Sequence, residues 1–149
     1  MLSSPLRRYL LLSILLLAAR WAPAQVSPPL GVWADAQGDT QIELYSCGQQ
    51  LCGRIVQLRQ PTDANGQPRQ DVRNPNPARR TQPCLGLVVL QKLQFNATEN
   101  RWDDGEIYDP DNGRTYSCYV RQLAPDRLEV KGYIGFPFVG RAQVWTRVR

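Results

Sequence analysis

Two cysteines, Cys47 and Cys52, enclose Gly48-Gln49-Gln50-Leu51 and join two extended runs. The first run ends at Tyr45 to Cys47 and the second starts at Cys52 and reaches Leu58. Four residues are a common length for a β-hairpin loop. Cysteines that face each other across such a loop have Cβ atoms about 4.5–5.5 Å apart, close enough to bridge. The spacing therefore predicts a disulfide-stapled hairpin. Placing Cys47 opposite Cys52 sets Leu44 against Ile55, Tyr45 against Arg54 and Ile42 against Gln57. Leu44, Ile55 and Gln57 then face the interior, while the bridge, Tyr45 and Arg54 face outward.

The rest of the chain reads as more of the same. Strands are expected over 30–35, 39–47, 52–59, 85–95, 101–108, 114–123, 127–134 and 141–148, joined mostly by short turns. Asp109-Pro110-Asp111-Asn112-Gly113 and Ala124-Pro125-Asp126 are turn chemistry. No segment has the period of a helix of note. Eight antiparallel strands in sequence order remove their exposed edges by closing, so the predicted fold is all-β, an eight-stranded antiparallel up-and-down barrel. One connection is unusual. Residues 60–83 hold Pro61, Pro68, Pro75, Pro77 and Pro83 and no regular element. So long a loop is often functional, and it reads either as an ordered flap or as a solvated crossover.

Composition matters at the N-terminus. Arg7-Arg8 precede an apolar run, Tyr9 to Ala19, and Ala22-Pro23-Ala24 supplies small residues for cleavage before Gln25. That is the layout of a secretory signal peptide over residues 1–24. The run is shorter than the roughly twenty residues of a transmembrane helix, and no cysteine follows the cleavage point for lipid anchoring. The expectation is a periplasmic or secreted protein with no transmembrane anchor after cleavage, residues 25–149 forming one domain. Three of the 18 basic residues (Arg7, Arg8, Arg20) leave with the leader, so 15 remain against 13 acidic residues, a net charge of +2. A nucleic-acid surface needs a concentrated basic face, and this balance argues against one.

Histidine is absent, which excludes Ser-His-Asp and Cys-His nucleophiles and histidine-ligated metals. The four cysteines include no C-x-x-C pair, so zinc gives way to two disulfides in an exported chain. Loop length favours Cys47–Cys52, which leaves Cys84 with Cys118. No metal and no cofactor is expected.

Several motifs together resemble a known family. They are Gly31-Val32-Trp33, Cys47-Gly48-x-x-Leu51-Cys52-Gly53-Arg54-Ile55-Val56, Asn74-Pro75-x-Pro77, Leu85-Gly86-Leu87, Gly105-x-Ile107-Tyr108-Asp109-Pro110, Gly113-Arg114-Thr115-Tyr116, Gly132-Tyr133-Ile134-Gly135 and Trp145-Thr146-Arg147. The pattern is similar to that of an exported bacterial family, domain-of-unknown-function family 2147. The resemblance implies a lipocalin-like (calycin-like) barrel and carries over no catalytic residue. Where that family tends to read Arg-x-Arg-Pro-Leu-Leu-Gly, this chain has Arg80-Thr81-Gln82-Pro83-Cys84-Leu85-Gly86. A looser likeness to lipocalins and avidins gives Gly31 and Trp33 a structural role. It implies that Arg147 stacks on the indole, for about 0.5–2 kcal/mol.

An eight-stranded barrel is filled by side chains or holds one small ligand. The ligand reading uses Trp33, Gln57, the 60–83 flap and Phe136 and Phe138 at the rim. A second reading is a protein-binding module, an envelope factor or enzyme inhibitor, that docks through the 60–83 and 135–140 loops. A third is an enzyme using the acids Asp103, Asp104, Glu106, Asp109 and Asp111, with Glu106 and Asp104 as a carboxylate pair. Asp109-x-Asp111-x-Gly113 lacks the glutamate of a calcium loop and reads as a turn. A small apolar ligand in or at the mouth of a barrel is the leading expectation.

Overall fold

Successive side chains on a strand point to opposite faces, and the burial follows. In the second strand Ile42 and Leu44 are buried while Gln41, Glu43 and Tyr45 are partly exposed. In the seventh, Leu128 and Val130 are buried between more exposed neighbours. A computed structural model describes residues 26–149; the expected signal peptide lies outside the described residues. The strands are β1 (Gly31–Ala34), β2 (Thr40–Cys47), β3 (Gln50–Leu58), β4 (Val88–Asn96), β5 (Arg101–Asp109), β6 (Arg114–Ala124), β7 (Arg127–Tyr133) and β8 (Gly140–Arg147). Each pairs antiparallel with the next, and β8 returns to β1 through Trp33 opposite Arg147 and Ala34 opposite Thr146. The barrel is closed, with eight strands in up-and-down order.

The disulfide between Cys47 and Cys52 is present, with Cα atoms 5.9 Å apart. Its register differs from the expected one by two residues. Cys47 lies opposite Gln50, Cys52 opposite Tyr45, and Ile42 opposite Ile55. Gly48, at φ +67°, starts a two-residue turn of the kind that matches strand twist. Gln50 and Leu51 therefore join β3, and the bridge spans a diagonal pair. A two-residue shift preserves the facing, so Leu44 and Ile55 stay inside. Gln57 does not, because a bulge between Gln41 and Ile42 moves it opposite Gln41 on the exposed face.

Cys84 and Cys118 are both buried and unpaired, which corrects the second expected disulfide. Cys118 sits in the core on β6 beside Gly105. Cys84 follows the flap, among Arg69, Asp71 and Asp111. The acids nearest Cys118 are instead Glu106 and Asp103. Pairing by elimination assumed that every thiol in the chain must bridge.

One end of the barrel is solid. Trp33, Leu44, Leu51, Leu93, Val120 and Leu128 fill it and are almost fully buried. The C-terminal residues close that end against β1: Val32 donates to Arg149 O (2.8 Å) and Val148 donates to Val32 O (2.8 Å). Arg147 lies 4.2 Å from the centroid of the Trp33 ring, and its Nη1 donates to Leu30 O at 2.7 Å. Gly31, at φ +117°, lies where a Cβ would come within 2.6 Å of Arg149 O, so only glycine fits. Irregularities in β4 and β5, marked by left-handed Lys92 (φ 66°) and Asp104 (φ 57°), bend the wall as bulges do.

Candidate functional site

The other end is hollow. It holds a cavity of about 770 Å³, inside the range of small-molecule sites. Its deep wall is Ile42, Ile55, Val89, Ile107, Val130 and Trp145, one or more from each of six strands. Polar groups gather around the opening: Asp35, Gln37, Thr40, Arg69, Asp109, Asn112 and Arg141. An apolar well under a polar rim can take a molecule with an apolar body and a polar end.

The strongest internal feature is on β8. Arg141, Gln143 and Trp145 recur at every second position and all line the cavity. Trp145 is buried, and its Nε1 donates to Gln143 Oε1 over 3.4 Å, a long and weak bond. Gln143 is thus a polar side chain on the wall of the well. This was the role given to Gln57, which is exposed on the outer face. The signal for a polar residue on the cavity wall is the same alternation, in the last strand.

The 60–83 connection is an ordered flap. Isolated bridges join Thr62 to Pro68 and Gln70 to Pro83, and a single 3-10 turn covers Pro77–Arg79. What pins it is Asp71, fully buried. Asp71 Oδ1 accepts from Tyr108 Oη at 2.7 Å, and Oδ2 accepts from Asn74 Nδ2 at 2.7 Å and Gln82 Nε2 at 3.2 Å. Neutral donors satisfy the carboxylate; a buried charge left without them would cost far more. Burial, and then the bond to Asp71, raise the Tyr108 pKa, so its hydroxyl remains a donor. Arg69 pairs with Asp111, tying the flap to the β5–β6 turn. Arg69 and Cys84 thereby become part of the cavity wall. Burial raises the Cys84 pKa, and its thiol is accordingly a weak nucleophile.

The remaining expected ligand contacts lie elsewhere. Trp33 is at the solid end, its Nε1 donating to Pro29 O at 3.0 Å, and does not line the cavity. Phe136 and Phe138 stand at the rim but point away from the lining, 64% and 79% exposed. Their neighbours Ile134 and Val139 do line it.

The acidic run is dispersed, and every member but exposed Asp104 has a partner. Glu106 accepts from Lys92 Nζ at 2.8 Å and from Gln91 Nε2 at 3.2 Å, and the lysine bond lowers its pKa. That is the wrong direction for a general acid. Asp103 accepts from Arg101 Nε at 2.9 Å. Asp109 accepts from the Asp111 N–H and Asn112 Nδ2, as a turn residue does.

Residues 31–147 match the family described as "Uncharacterized protein conserved in bacteria (DUF2147)". No curated protein matches the chain. A solved structure from Helicobacter pylori, the protein HP1028, described as belonging to the lipocalin family, is similar in fold. The TM-score is 0.69 at 20% identity, covering 82% of this chain and 84% of that one.

Proposed function

Because the chain belongs to the DUF2147 family of bacterial proteins and is built as a lipocalin-like barrel, we propose that it carries a small ligand in the mouth of that barrel. The ligand is largely apolar, with one polar end. The observation that supports this most is the cavity of about 770 Å³, hollow above a packed floor, with Gln143 and Trp145 on its wall. A barrel serving only as a scaffold has no use for empty volume at one end, since unfilled space forfeits dispersion contacts. The Lipocalin-like fold suits such a role, and the flap narrows the entrance without filling it. An exported location, proposed from residues 1–24, fits with the Cys47–Cys52 disulfide.

The test is native mass spectrometry of gently isolated protein, beside titration with an apolar fluorescent probe read through Trp145 emission. The wild type is expected to retain a small-molecule adduct and to bind the probe. Val130→Trp, which narrows the deep part of the well, is expected to weaken both while keeping its circular dichroism. Should that variant not fold, Val89→Phe serves the same purpose. A wild type with neither adduct nor probe binding would remove the proposal.

A further inference from the structure

The β7–β8 connection, Ile134-Gly135-Phe136-Pro137-Phe138-Val139, carries no polar side chain. Ile134 is 70% exposed and Val139 54%, beside the two exposed phenylalanines. The phenylalanine rings stack on each other, centroids 5.5 Å apart and planes 7° apart, instead of turning into the cavity next to them. Single exposed apolar residues are ordinary, but a contiguous set marks a contact surface.

Part of the backbone of this tip is paired internally. Ile134 N–H donates to Val139 O (3.3 Å), Phe136 N–H to Ile134 O (3.0 Å) and Val139 N–H to Phe136 O (2.9 Å). Pro137 has no N–H to satisfy. The Gly135 and Phe138 N–H groups have no acceptor among the described residues, which suits the headgroup layer, where phosphate and water accept, and not the acyl chains. Charge points the same way. Arg141 follows the tip, and Arg114 begins β6 three residues before Ser117, the partner of Tyr133, which puts it level with the tip. Both arginines are exposed, and neither forms an ion pair among the described residues. Of the nearby acids, Asp111 is paired with Arg69, while Asp109 is bonded to neutral donors of its own turn and lies opposite Arg114 in the β5–β6 ladder without an ion pair to it.

We propose that this tip docks the mouth of the barrel onto a lipid bilayer bearing anionic headgroups. Phe136 and Phe138 enter the boundary between headgroups and acyl chains, and Arg114 and Arg141 meet the phosphates. The cavity then opens toward the phase in which an apolar molecule dissolves. Docking itself requires no ligand, so it stands or falls separately from carriage.

Co-sedimentation of the full chain with phosphatidylcholine vesicles, with and without phosphatidylglycerol, tests it. The wild type is expected to bind the anionic vesicles and to release them in high salt. Phe136→Ser with Phe138→Ser is expected to weaken that binding at least tenfold, with an unchanged thermal midpoint. Arg114→Gln and Arg141→Gln are each expected to weaken it about fivefold on anionic vesicles and little on neutral ones. Binding that ignores the serine variant would overturn the proposal. So would absence of vesicle binding together with a concentration-dependent dimer that the serine variant abolishes, or with a soluble protein partner that it releases.

Discussion

Replacing Tyr108 with phenylalanine removes one oxygen, and with it the donor to Asp71 Oδ1 at 2.7 Å. Asp71 is fully buried, so water cannot take over that bond without opening the flap. Hydrogen bonds to a charged partner contribute about 1.5–3 kcal/mol, and an acceptor left bare adds its desolvation cost. The expected loss is about 2–3 kcal/mol, a large share of the 5–15 kcal/mol typical of a domain. Urea unfolding at neutral pH reads the global figure. Hydrogen exchange reads the local one, at the Asp71 amide bonded to Gln82 O (3.0 Å) and the Cys84 amide bonded to Arg69 O (2.9 Å). Both amides should lose protection in the variant. The same substitution made in an Asp71→Asn background should cost less, since the two sites are coupled.

The pH dependence adds a second reading. The folded Tyr108 pKa is raised, by burial first and by the Asp71 bond next. The folded state therefore holds its proton when the unfolded chain, with a value near 10, has lost it. The stability gained is complete below about pH 10 and drains away as pH rises from there toward the folded value. Tyr119 and Tyr133, which burial also raises, act alike in both proteins. Phenylalanine at 108 should thus flatten the alkaline fall. A loss below about half a kcal/mol, with flap exchange unaltered, would refute the assignment of Asp71 as the pin.

Three further outcomes are expected. Replacing Cys47 and Cys52 with serine should cost about 2 kcal/mol in denaturant, the loop-entropy value for so short a closure, and reductant should reproduce it in the wild type. Arg147→Ala should lower stability by about 1–3 kcal/mol, because it loses the stack on Trp33 and the bonds to Leu30 O and Pro125 O; differential scanning calorimetry checks this. Burial pushes the Cys118 thiol up to about 12, so a thiol reagent at neutral pH should leave it unmodified in the native protein and label it on unfolding.

The barrel was legible because alternation and turn chemistry are local. All eight strands fall within three residues of the expected bounds at each end, the largest shift being at Val88. What was not legible depended on register. Gly48 adopts a left-handed conformation that shortens the hairpin loop, and the bulge at Gln41/Ile42 turns Gln57 outward. Neither can be read from two cysteine positions. Trp145 and Gln143 were missed for the opposite reason: their alternation was visible, but their inward direction follows only once β8 closes on β1. Gln82 reads in the sequence as a departure from a basic position, and the structure gives it a purpose as an amide donor to Asp71.

Several anchors of this molecule are gathered at the floor: the covalent clasp at Cys47 and Cys52, the indole of Trp33 under its guanidinium, and the C-terminal residues bonded to β1. The opening is made of loops, tied chiefly through Asp71 and the Arg69–Asp111 pair. Outside those ties, residues around the lip can accordingly change one by one while the lower half keeps the scaffold folded. If the barrel carries a ligand as proposed, new tastes in cargo are within reach of a handful of substitutions around the lip.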